Sequence, residues 1–306
     1  ASCCGIVGMK PTRGRLPDGP YSGEGWAGMA VDGFLTRTVR DTAALLDACA
    51  GPDLGAPYWA PPLAATHLAA TARPPRRLRI AVTDRSFAEA PVHAACRKAV
   101  DRTAALLSDL GHEVETAAPK ADHHAMMVAW TRIVACGTAL WVREASGGAG
   151  PRAGEIEPVT AAACRFAATL SGADYLEAVE TIHDYGRQMA VFFERFDALV
   201  TPVLAEPPAR LGRFAHDAFD DFERYRLGAD GIWPYSPFTA AFNASGQPAA
   251  SLPLYWTAEG LPVGVQVAMP FGADLLLLSL AAEIEAAQPW FDRRPELRLP
   301  SPSPRP

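Results

Sequence analysis

Ser2 and Lys10 share the opening stretch Ala1–Gly14, where a serine with a lysine base would make a nucleophile for acyl transfer. No nucleophile elbow supports a serine further on: Ser22 has Pro20 where a GxSxG turn needs its first glycine. Gly23-Glu24-Gly25-Trp26-Ala27-Gly28 formally matches GxGxxG, the pattern that cradles a pyrophosphate at a helix N-terminus. It follows Pro20-Tyr21-Ser22 and runs on to Gly33 with no helical pattern, so it reads as a decoy. His123-His124 is the only adjacent pair among seven histidines. Successive helical side chains point ~100° apart, which suits two ligands of one metal poorly, so both are expected near solvent at a helix start. No HExxH, paired CxxC or EF-hand pattern occurs, and neither metal nor cofactor is expected. Cys136-Gly137 interrupts an apolar helical pattern with small residues. That gap would admit either a ligand or a neighbouring helix, and packing is the favoured reading because a buried free cysteine usually acts as a small hydrophobe. Asn243-Ala244-Ser245 forms a glycosylation sequon without a secretory signal to support it. Glu283 and Glu285 read as a solvated helix surface.

The bulk numbers narrow the classes. Hydrophobic residues make up 49% and charged residues 20% of the 306, which is ordinary for a globular enzyme and too apolar for a disordered chain. A formal charge of −6 gives no reason to expect nucleic acid or an anionic membrane as partner. Six cysteines are scattered without a disulfide framework, which favours a reducing, cytoplasmic setting. The longest unbroken apolar run is Ala125–Trp130, far short of the ~20 residues that span a bilayer.

The elements that must position any site are legible in part. Cys4–Met9 reads as a short apolar strand of the kind that belongs inside a sheet. Lys10–Gly33 is turn-filled, and Lys10 itself reads as a turn residue. Thr38 and Asp41 form a capping box for a helix that ends at Gly51-Pro52. Leu78–Val82, a helix opened by Pro91, and His112–Glu115 make a strand–helix–strand crossover, hence a parallel α/β sheet. Asp122 to about Phe196 is helical, broken at Gly147–Pro151, with a second long helix from about Asp174. Ala198-Leu199-Val200 is a buried strand stopped by Thr201-Pro202. Ala250–Trp256 and Leu261–Val267 alternate cleanly about a Glu259-Gly260 turn and predict a hairpin. Asp274 is expected to cap the closing helix.

Four stretches carry a likeness to a known family. Ala1-Ser2-Cys3-Cys4-Gly5-Ile6-Val7-Gly8-Met9-Lys10-Pro11-Thr12-Arg13-Gly14 resembles the tail of the signature region of amidase signature enzymes. Leu35–Ala43 resembles the family's next segment, with Phe34 where a proline is usual. Phe196–Pro202 and Ser236–Ala249 with the strands after it look like the family's late strands. The resemblance implies α/β architecture, a large mixed β-sheet flanked by helices on both faces. It implies amide hydrolysis through an acyl-enzyme, by a Lys, cis-Ser and Ser triad. In that family the nucleophile lies a few residues before the position of Ala1, and the base and bridging serine lie earlier still. The likeness therefore implies that residues 1–299 are the C-terminal part of a single amidase domain, inactive alone, with 300–306 a disordered tail. Ser2 and Lys10 match no catalytic position. Ser236, Pro237, Phe238 and Asn243 are the candidates for lining the substrate site, with Cys136 a further one. The implied partner is a small-molecule amide, small or cyclic, and a homodimer is allowed. Two other readings stay open: a non-catalytic scaffold derived from an amidase, and an A-type amidotransferase subunit.

Overall fold

The computed structural model of the chain describes residues 1–152 and 154–295. The predicted tail at 300–306 lies outside the described residues. A 3₁₀ turn at Ser2–Cys4 leads into β1 (Val7–Lys10), so the opening strand starts later than Cys4 and ends one residue past Met9. Gly5 closes the turn with φ +63, a conformation that costs glycine nothing. β1 lies inside a sheet as its sequence requires. β2 (Phe34–Thr36) pairs antiparallel on one side, Met9 opposite Phe34. On the other side the pairing is with a long late strand, Met9 opposite Ala250.

The next elements in order are α1 (Val39–Cys49), α2 (His67–Thr71), β3 (Arg79–Val82), α3 (Ala94–Asp109) and β4 (Glu113–Thr116). Three helices follow, α4 (His123–Ala145), α5 (Pro158–Ala167) and α6 (Gly172–Arg195), before β5 (Ala198–Pro202). Short helices α7 (Phe222–Leu227), α8 (Ile232–Tyr235) and α9 (Ala240–Ser245) precede the hairpin β6 (Ala249–Trp256) and β7 (Pro262–Ala268). α10 (Asp274–Ala287) closes the described structure. The seven strands form one mixed sheet in the order β2-β1-β6-β7-β5-β3-β4. Among the described strands, β3–β4 and β3–β5 alone are parallel, and β3–α3–β4 is the predicted crossover. The hairpin is antiparallel, with a register shift between Leu252 and Tyr255. β5 is buried along its whole length because it has neighbours on both sides and helices over it.

Several local expectations are corrected by tertiary contacts. Thr38 does accept the Asp41 amide at 3.0 Å, but the Asp41 carboxylate makes no return bond to the Thr38 amide among the described residues; Glu285 from α10 instead takes the next amide, that of Val39, at 3.2 Å. Glu283 meets the His112 ring at 2.9 Å, so neither glutamate is simply solvated. A reciprocal capping box exists instead at Ser171 and Asp174. Pro91 lies ahead of α3, and His93 caps it by accepting the Ala95 amide on Nδ1. Asp274 is not the cap of α10; its first-turn carboxylate is wholly buried and reaches across to Thr12 and Arg15. Lys10 ends β1 rather than occupying a turn, and its Nζ donates to the Pro11 carbonyl at 2.9 Å.

α4 is long and apolar enough to cross a membrane, although its longest unbroken apolar run is only Ala125–Trp130. Met126, Met127, Trp130, Ile133 and Val134 are buried in the main core cluster, which accounts for that apolarity as core packing.

Candidate functional site

A cavity of about 300 Å³ opens beside the first residues of the chain. Ala1, Ser2 and Lys10 line one part of it, and Thr239, Asn243 and Gln266 supply polar groups from α9 and β7. Each is held for a local reason. Gly246, at φ +75, ends α9 in the left-handed conformation usual at a helix C-terminus. Arg13 then satisfies the last carbonyls of that helix, donating from Nη2 to Asn243 O at 2.7 Å and Ala244 O at 2.8 Å. The Asn243 side chain donates in turn to Met29 O at 2.7 Å, pinning the turn-rich 23–30 loop against α9. Gln266 is buried and donates to Thr201 Oγ1 at 3.1 Å.

Lys10 sits within this wall, and burial pulls its amine down to about 7, with the Asp274 charge opposing and the Arg13 charge adding to the fall. At such a value a lysine changes charge near neutral pH.

Ser2 is committed elsewhere. Its Oγ, buried, accepts the Gly264 amide of β7 at 2.9 Å. A Cβ at Gly264 would fall 2.8 Å from that oxygen and 2.8 Å from Ser251 Oγ, so glycine is what lets the opening turn lie on β7. Ser2→Ala orphans a buried amide and is expected to cost about 1–3 kcal/mol of stability. Urea unfolding measures it; a midpoint equal to that of the parent chain would refute the role.

The residues named from sequence are dispersed. Asn243 reaches the cavity directly. Phe238 is fully buried, edge-on to Phe87 at 5.3 Å between ring centroids, and touches the site only through its carbonyl, 3.5 Å from Gln266 Nε2. Pro237 is buried beside it, and Ser236 spends its hydroxyl on Thr239 at 3.0 Å. Cys136 lies away from this cavity on α4, half-buried, with burial raising its thiol pKa. A Cβ on its neighbour Gly137 would stand 3.0 Å from Trp26 Cδ1, so what the small residues admit is an aromatic ring of the loop, not a neighbouring helix. Trp26 and Ala27 hold positive φ values of 50 and 52 to place that ring, an uncommon conformation for non-glycine residues. The GxGxxG match is thus a strap over α4, with no strand-to-helix turn. Trp26, Thr239 and Gln266 were missed from sequence; no motif marks them, because a loop and two distant elements converge only on folding.

His123 is half-buried, not free at a helix start as expected. It stacks on Phe87 at 4.0 Å, and its Nδ1 lies 2.9 Å from Tyr185 Oη. Burial lowers its pKa from 6.5 to about 4, with the Asp122 charge opposing. The folded state thus binds fewer protons than the unfolded one between these values, so stability is expected to fall as pH drops from 6.5 towards 4. In a His123→Gln variant that slope should flatten in pH-dependent urea unfolding; an unchanged slope would show that other groups carry it.

The Amidase family model matches residues 1–278. The 6-aminohexanoate-cyclic-dimer hydrolase of Paenarthrobacter ureafaciens is 33% identical over 317 residues, covering 98% of this chain and 63% of the relative. A putative amidase of Synechocystis sp. is 32% identical, covering 93% of this chain and 52% of the relative. Among solved structures, that of 6-aminohexanoate cyclic dimer hydrolase superposes with a TM-score of 0.88 at 30% identity, over 96% of this chain and 63% of that one. A bacterial aryl acylamidase of the amidase signature family superposes at 0.80 and 25% identity, over 97% and 62%. The chain therefore spans less than two thirds of the length of these relatives.

Proposed function

Because this chain belongs to the amidase family, we propose that it forms the acyl-binding and sheet-building part of an amide hydrolase whose nucleophile and base lie outside these 306 residues. The observation that carries this reading is the cavity at Ala1, Ser2 and Lys10, beside the place where the family resemblance puts the attacking serine. Ser2 is tied to Gly264 and Lys10 to Pro11, so the two are not arranged as nucleophile and base.

The two edges of the sheet support the same reading. At β4 the edge is guarded by exposed Glu113 and Glu115, a usual device against unwanted pairing. At β2 it is apolar: Leu35 is 65% exposed, and Phe34 and Leu35 both line the cavity. We read the β2 edge and the cavity as one surface, covered by the segment that brings the catalytic serine. Small amides, cyclic ones included, are the substrate class we favour, as the hydrolase relatives are named for one. The setting proposed is cytoplasmic.

The experiment is complementation. The chain is co-expressed with an upstream amidase segment bearing Gly-Gly-Ser, a serine-glycine loop and an earlier lysine, and amide turnover is compared with that of the chain alone.

A further inference from the structure

A second and larger cavity, about 870 Å³, lies at the opposite end of the sheet order, where the chain leaves β3 and β4 and enters α4. It shares no lining residue with the cavity at Ala1. The Phe87–Phe238 contact stands between them: Phe87 lines the large cavity, and the Phe238 carbonyl faces Gln266 of the small one. The loops after β3 and β4 follow the carboxyl ends of parallel strands, and the chain crosses from β3 to β4 on one side and returns to β5 on the other. Such a switch point is where open α/β sheets commonly bind ligands, and the volume is in the range of small-molecule sites.

Its lining has two kinds of surface. Phe87, His123 and Trp233 are aromatic: the first two stack at an interplanar angle of 5°, and Trp233 is edge-on to His124 at 6.0 Å. Trp233 is 8% exposed, and its buried indole N–H has no partner among the described residues. His123 is neutral near pH 7, so the ring floor carries no charge. Two exposed cations, Arg85 and Lys120, complete the lining, and neither side chain has a salt bridge or hydrogen bond among the described residues. Two carboxylates are also present. Asp122 is occupied in capping α4 by accepting the Ala125 amide at 2.8 Å, while exposed Glu89 sits at φ +56 without an ion pair. The 23-residue α4 starts at the cavity, so its N-terminal dipole adds to the positive side.

We propose that this cavity is a second small-molecule site, taking a planar aromatic carboxylate whose ring lies on the Phe87–His123–Trp233 surface and whose charge is met by Arg85 and Lys120. Aromatic faces recognise a flat apolar body, and charge-assisted hydrogen bonds from an unpaired guanidinium and ammonium select an anion over its neutral amide. The inference does not depend on the proposed amidase reading, since neither the ligand nor the residues enter the acyl chemistry.

The test titrates 2-naphthoate into the purified chain, followed by saturation-transfer NMR of the ring protons, with 2-naphthamide as the uncharged counterpart. Saturable naphthoate binding is expected, at least about tenfold tighter than naphthamide binding. The double variant R85Q/K120Q should lose that preference, whereas R40Q, an exposed cation on α1, should keep it. Absence of saturable binding, equal binding of acid and amide, or full binding by R85Q/K120Q would each overturn the proposal. Circular dichroism confirms that the exposed substitutions leave the fold intact.

Discussion

Expressed by itself, the 306-residue chain is expected to hydrolyse small linear and cyclic amides no faster than buffer, and co-expression with an upstream amidase segment is expected to restore turnover. The difference should be large, on the order of 10⁶-fold or more, because removing a serine nucleophile and its base abolishes the acyl-enzyme route rather than slowing it. What this chain would retain is positioning: the polar groups of Asn243, Thr239 and Gln266 around the acyl pocket. Amine or ammonia release from the purified samples is the measurement. Turnover by the chain alone, abolished by Ser2→Ala or Lys10→Ala, would sink the proposal and move the chemistry onto the opening stretch. The same experiment bears on the β2 edge. With Leu35 uncovered the lone chain should self-associate, and a well-behaved monomer would count against a missing cover there.

Asp274→Ala should be the most destabilising single change discussed, by about 3–5 kcal/mol in urea unfolding. The carboxylate is fully buried and takes three donors: Thr12 N at 2.8 Å, Thr12 Oγ1 at 2.6 Å and Arg15 Nη2 at 3.2 Å. Removing it leaves the nearly buried Arg15 guanidinium without its ion pair and the Thr12 amide without an acceptor. Arg15 also donates to Pro61 O at 2.7 Å, so the loss would propagate into the loop between α1 and α2. Asp274→Asn keeps an acceptor and should lose less. Equal, small losses in both variants would show that the buried pair is dispensable.

The amidase-like stretches were legible because signature residues are a local code of backbone turns and short strands. Gly5 needs its left-handed turn, and Gly33 leaves no space for a Cβ, which would stand 2.1 Å from Met9 O. The strand–helix–strand crossover and the late hairpin were legible for a related reason: periods of 3.6 and 2 are local too. The short helices α7–α9 were not, since α8 and α9 are only 4 and 6 residues long, too short to show a helical period.

Side-chain partners were the least legible part. Asp274 looked like a cap because an aspartate at a helix start usually is one, and Glu285 looked solvated because its own helix offers it no donor. Both are claimed by groups more than 240 residues away in sequence. His123 looked exposed for the same reason, and Phe87 and Tyr185 cover it.

By itself the sequence determined the family, the α/β class and the position of the opening strand. The tertiary structure alone decided where β1 sits between β2 and β6, which candidate residue reaches the cavity, and that Ser2 is a ligand of β7. The physical reason is range. Turn and period preferences act between neighbours along the chain, whereas a buried polar group accepts whichever partner the packed elements bring within about 3 Å of it.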